Sequence, residues 1–117
     1  MGVALREQIH QAAISVSAAG DNTIIAGVAG KVITVVALIL SNNVVTAQNI
    51  IIKDGTGGTA LSGAIALPVG SVGGGPAFIL PPDPTVDWFQ ALVAGNPLVL
   101  NLSAATAVGG VIWYVQN

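Results

Sequence analysis

The chain has 117 residues, enough for one domain that hides roughly two thirds of its unfolded surface. Only 7% of the residues are charged and 53% are apolar, where an ordinary soluble domain carries about 25% charge. The net charge of −2 excludes a basic nucleic-acid surface, and the absence of cysteine excludes a disulfide framework or a thiolate metal site. A free monomer needs charge for solubility, so the composition predicts a chain that buries much of its surface in an assembly.

Residues 1–12, MGVALREQIHQA, are read as an N-terminal arm, flexible or briefly helical, and residues 13–117 as a single folded domain. Residues 13–18 alternate, with Ile14 and Val16 on one face and Ser15 and Ser17 on the other, the pattern of a half-buried strand. Ala19-Gly20-Asp21-Asn22 is a turn. A short strand over residues 23–28 follows, and Ala29-Gly30 turns into the central run that starts at Lys31.

That run, KVITVVALIL, carries Ile33, Val35, Ala37 and Ile39 at odd positions and Val32, Thr34, Val36, Leu38 and Leu40 at even ones. Side chains alternate across a strand, so an unbroken strand here is apolar on both faces. A second sheet covers one face; another segment or another subunit must cover the other. Ser41-Asn42-Asn43 ends the run, and Ile50-Ile51-Ile52 forms a second strand that Lys53-Asp54-Gly55 closes.

Beyond Thr56-Gly57-Gly58-Thr59 the signals are short strands over residues 60–67, 76–80, 98–103 and 111–115. Pro68, the glycine-rich stretch 70–75, Pro81-Pro82 and Asn96-Pro97 punctuate them, and the prolines confine their strands to an edge or an end. Trp88-Phe89 supplies an aromatic anchor, and Trp113 and Tyr114 point to opposite faces. About eight short strands with turns every 8–12 residues predict an all-β antiparallel sandwich or jelly roll. No apolar stretch reaches the roughly 20 residues of a spanning helix. No signal peptide is evident, so the protein is expected to stay in the cytoplasm where it is made or to follow its assembly.

The residues give an architecture and little chemistry. His10, the only histidine, has no visible partner or nucleophile. Asp83 and Asp87 are too few for calcium, which takes six to eight oxygens, and read as turn and cap. The glycine stretches 55–58 and 70–75 lack the Lys and Ser or Thr of a phosphate loop. Trp88, Phe89, Trp113 and Tyr114 suit core or interface packing better than a sugar-stacking platform. The reading is not an enzyme, with no cofactor and no metal. The second face of the central strand and the last strand are expected to form the oligomer interface, through Ile33, Val35, Trp113 and Val115.

Several signals occur in a familiar order: Ala19-Gly20-Asp21-Asn22-Thr23-Ile24, Gly30-Lys31-Val32-Ile33-Thr34-Val35, then Ile52-Lys53-Asp54-Gly55-Thr56-Gly57-Gly58. Trp88-Phe89 then precedes Gly95-Asn96-Pro97-Leu98-Val99-Leu100-Asn101, and residues 103–110, SAATAVGG, lead into the last strand. Over residues 15–116 the chain resembles small virion proteins of tailed bacteriophages, β-sandwich or jelly-roll modules that serve as capsid decoration (cement) proteins, head fibres or tail tips and are commonly trimers. The resemblance implies a structural protein bound as a homotrimer to the major capsid protein on the outside of the phage head. The other role it allows is a tail-tip or fibre module that recognises host surface glycan. Residues 1–12 lie outside the resemblance, and that arm, through Leu5, Arg6 and Ile9, is the expected grip on the capsid.

Overall fold

The computed structural model describes residues 9–42, 44, 46–67, 78–82, 88–90 and 93–117. The described residues form ten strands: β1 (His10–Val16), β2 (Gly20–Ile25), β3 (Ile33–Asn42), β4 (Gln48–Asp54), β5 (Thr59–Ala60), β6 (Ile65–Leu67), β7 (Phe78–Leu80), β8 (Phe89–Gln90), β9 (Leu98–Leu102) and β10 (Val108–Gln116). Every pairing is antiparallel. One sheet runs β1-β10-β3-β7 with β8 also on β3; the other runs β2-β9-β4-β5 with β6 also on β4. The pairs are nested, β1 with β10, β2 with β9, β3 with β7 and β8, β4 with β5 and β6, and successive pairs fall in opposite sheets. This is the jelly-roll form of the sandwich. The sheets are called A, which holds β1 and β10, and B, which holds β2 and β9.

The central run does not keep one parity. Trp113 pairs with Ala37 but Tyr114 pairs with Val35, so Val36 is an extra residue on β3. Such a β-bulge reverses which face each later side chain takes. Before it, Ile33 and Val35 point inward; after it, Leu38 and Leu40 do, and all four are at most 1% exposed in the core. Val36 and Ile39 are half-buried and belong to the other side. The expectation of an unbroken strand with Ile33, Val35, Ala37 and Ile39 in one row is therefore corrected: an extra residue splits that row between the two faces.

The other core side chains follow regular alternation. Ile50 and Ile52 of β4, and Leu98, Leu100 and Leu102 of β9, supply sheet B's inner face. Ile14, Val108 and Ile112 complete sheet A's. Gly110, between Ile14 and Leu40 in the ladder, has room for nothing larger, because a Cβ there would strike the Ile39 carbonyl.

Some boundaries differ from the sequence reading. The sandwich's first strand begins at His10, so residues 10–12 are strand, with Ala12 packed on the core. The single strand expected over residues 60–67 is two short ones, because Leu61 and Ser62 both donate to the Ile52 carbonyl and bend the chain. β4 begins two residues before Ile50, at Gln48, which is 2% exposed. Its amide donates to Ala104 O (2.8 Å) and Thr106 Oγ1 (2.7 Å), and its carbonyl accepts from Ser103 Oγ (2.8 Å) and the Ala104 N–H (2.9 Å). Four bonds satisfy a buried amide's main capacity and tie the β9–β10 connection to β4.

Candidate functional site

The two outer faces of the sandwich differ in charge. Sheet B's outer face carries Asp21 of β2 and Lys53 of β4, whose ammonium lies 3.1 Å from both carboxylate oxygens. Asp21 also accepts from Asn101 Nδ2 (2.7 Å) and the Gly57 N–H (2.6 Å). The Asn101 bond holds the Asp21 carboxyl below its ordinary pKa, helped next by Gly57 and, against the opposing cost of burial, by Lys53. Every strong contact of this carboxylate is made within the chain, so the cluster is a fastening: it ties the β4–β5 turn to β2 and β9.

The same bonds decide the reading of the glycine stretch 55–58. Gly55 N–H donates to Pro97 O, Gly57 N–H to Asp21 and Gly58 N–H to Gly55 O. Three of its four amides are committed internally, with Gly57 at φ +67, which leaves no amide cradle for a phosphate. The stretch 70–75 lies outside the described residues, as do Asp83 and Asp87.

Sheet A's outer face is uncharged among the described residues. By strand parity its outward side chains are Gln11, Ala13 and Ser15 of β1 and Val111, Trp113 and Val115 of β10, the last of them covered. They continue with Thr34, Val36, Ala37, Ile39 and Ser41 of β3, Ile79 of β7 and Gln90 of β8. In its middle is a groove of about 430 Å³. Val36, Ala37 and Ile39 come to it from β3, Trp113 from β10 and Ile9 from the residue before β1. The segment from Ile79 to Pro82 lines the far side. Ile79 is 55% exposed and stands at the rim of these apolar groups. The Trp113 indole N–H donates to Gln11 Oε1 (3.1 Å) across the β1–β10 ladder.

The four expected interface residues separate. Ile33 and Val35 belong to the intramolecular core, and Val115, paired with Thr34, is 2% exposed. None of these three offers side-chain surface to a partner. Trp113 alone lies in the groove. Of the expected capsid contacts, Leu5 and Arg6 lie outside the described residues, and Ile9 lines the groove. Sequence reasoning missed Val36, Ile39 and Ile79 as a set. Val36 and Ile39 share a face only because of the bulge, and nothing local marks it.

The aromatics form no common platform. Trp88, Phe89 and Tyr114 pack on the core, and Trp88 Nε1 donates to Pro81 O (2.9 Å). Tyr114 sits beside His10, with ring centroids 5.5 Å apart. Among the described residues no three His, Cys, Asp or Glu gather where a metal could sit, and no helix is long and apolar enough to cross a membrane. Comparison with protein-family models found no match, nor did comparison with curated proteins or with solved structures.

Proposed function

We propose that the chain is a structural virion protein, a capsid decoration protein that sits as a homotrimer on the outside of a tailed-phage head and stabilises the shell. The observation that carries the assembly is the uncharged outer face of sheet A, with its apolar groove and the exposed Ile79. The ion pair on the opposite face suits water. Subunits therefore meet through Val36, Ile39, Ile79 and Trp113, a set that shares only Trp113 with the one the sequence points to. The virion setting rests on the order of strand and turn signals over residues 15–116 and on the sparse charge.

Magnitudes support a face and not a point contact. Covering 100 Å² of apolar surface contributes about 2.5 kcal/mol, while association costs roughly 4–15 kcal/mol. Several hundred Å² must be covered. The molecule's longest dimensions are 40 Å and 29 Å, room enough for the ~800 Å² per partner of a stable interface. Ile9, at the groove, leads back to Leu5 and Arg6, which are proposed to reach the major capsid protein.

Two measurements test this. Light scattering at micromolar concentration is expected to give the mass of a trimer, and a monomer refutes the assembly. Electron cryomicroscopy of particles is expected to show the trimers on the head. Density on the tail, with binding to host glycan on an array, replaces the decoration role with the receptor-binding one.

A further inference from the structure

The four margins of the two sheets are guarded unequally. A bare strand edge presents unpaired N–H and C=O groups, and proteins blunt such edges with charge, proline, bulges or brevity. On sheet A, β7 and β8 have three and two residues, and Pro81-Pro82 follows β7. On sheet B, β5 and β6 have two and three residues. The remaining margin of sheet B, β2, carries Asp21 and is bulged between Thr23 and Ile25.

β1 has none of these devices. Among the described residues it pairs only with β10, over seven residues in unbroken register. Its sequence, HQAAISV, holds no Lys, Arg, Asp, Glu or Pro. The outward side chains Gln11, Ala13 and Ser15 are small or neutral and exposed, so nothing on the strand repels a neighbour.

We infer that the open edge of β1 pairs with β1 of a second copy, antiparallel across a two-fold axis. The strand is self-complementary in that arrangement. With the axis at Ala13, Gln11 faces Ser15 and Ala13 faces Ala13 on the outer side, and Ala12 faces Ile14 and His10 faces Val16 on the inner side. No pair sets like charges opposite each other, the juxtaposition that destabilises sheets. The two A sheets then become one continuous sheet, and the unpaired backbone groups of both edges are satisfied. This contact is made by the strand's backbone edge and buries none of Val36, Ile39 or Ile79, although Gln11 also accepts from Trp113 at the groove. Where trimers form through the face, edge pairing links each trimer to the next, which spreads reinforcement over a shell.

The test uses the full chain and two readouts, mass by light scattering and amide hydrogen exchange. The wild-type mass is expected to rise with concentration, to twice that of a lone subunit where the face does not assemble and beyond the trimer where it does, while alternate amides of β1 become protected. Ala13→Lys sets two ammonium groups opposite each other at the axis, so pairing needs about two- to fivefold more protein; Ala13→Thr, neutral and β-branched, pairs as the wild type does. The double variant Gln11→Glu/Ser15→Glu, which sets carboxylates opposite each other on both sides of the axis, repeats the measurement should Ala13→Lys lose its fold by tryptophan emission. An Ala13→Lys protein that pairs like the wild type overturns the inference. So does a wild type whose β1 amides stay open at the highest concentration, or close only on particles. Ile39→Lys separates the two contacts: it acts on the face alone, so edge-paired dimers persist in it even where the trimer is lost.

Discussion

Ala37 of β3 faces Trp113 of β10, yet the next residue of β10, Tyr114, faces Val35. The peptide between Trp113 and Tyr114 thus spans an extra residue, Val36. Everything C-terminal to it on β3 is turned over relative to everything before it. The groove on sheet A exists because of this one insertion, which brings Val36 and Ile39 to one side while keeping Ile33, Val35, Leu38 and Leu40 in the core.

The bulge predicts opposite behaviour for adjacent residues. Leu38→Ala removes a side chain that is 1% exposed and is expected to cost about 2–5 kcal/mol. Ile39→Ala, on the outer face, is expected to cost about 1 kcal/mol or less within a single subunit. Urea unfolding at the lowest workable concentration reads both. Equal losses would mean that the strand runs without its extra residue. Val35→Asp belongs with the first kind: it unfolds the subunit and does not merely separate subunits.

Most strands are legible in the residues, and their partners much less so. Residues 48–54 and 98–102 each have one parity that is apolar through its centre, so parity predicts Ile50, Ile52, Leu98, Leu100 and Leu102 inside, but it does not predict that Val99, on the other face of β9, is fully buried as well. The central run misleads because its apolar residues fit either parity, and the register shift is fixed by β10, some 70 residues away, not by any local signal. The Asp21–Lys53–Asn101 cluster is likewise long-range, joining β2, β4 and β9. Gln48 was within reach: it shares the inward parity of Ile50 and Ile52, and a polar residue there must find partners.

Gln48→Leu is expected to destabilise despite its greater hydrophobicity. It strips partners from the Ala104 carbonyl and N–H and from Ser103 and Thr106 at once. A polar group left fully unpaired costs about 1–3 kcal/mol, but Ala104 and Thr106 are half-buried and Ser103 is exposed, so water replaces part of what is lost and Leu burial offsets more; a net loss of about 1–2 kcal/mol is expected from thermal or urea unfolding. A neutral or stabilising result would show that water satisfies the β9–β10 connection in full.

Gly110→Ala places a Cβ against the Ile39 carbonyl. Backbone cannot yield as a flexible side chain does, so β3 and β10 must part, at a cost of about 1–3 kcal/mol. Since the same movement disturbs Ile39 at the groove, assembly is expected to weaken along with stability. Paired melting and light-scattering measurements check both, and an unchanged melting midpoint counts against the close β3–β10 approach.

The Asp21 fastening has a pH signature with a definite sign. Its carboxyl is depressed in the folded chain, by Asn101 first, then Gly57 and Lys53, and rises to about 3.9 on unfolding. The stabilisation is therefore present in full above that value and is lost as pH falls through the lower, folded one. Asp21→Asn, which exchanges the charged acceptor for a neutral amide, is expected to cost about 1–3 kcal/mol near pH 7. The gap between variant and wild type is expected to narrow steadily below about pH 4, because the unfolded wild-type chain takes up its proton from there down and the folded one follows only at lower pH. Lys53→Met leaves the Asn101 and Gly57 bonds in place and is expected to cost less than Asp21→Asn. Urea titrations at matched ionic strength from acid to neutral pH separate the contributions; a gap that stays constant down to the acid limit would remove the carboxylate's charge from the explanation.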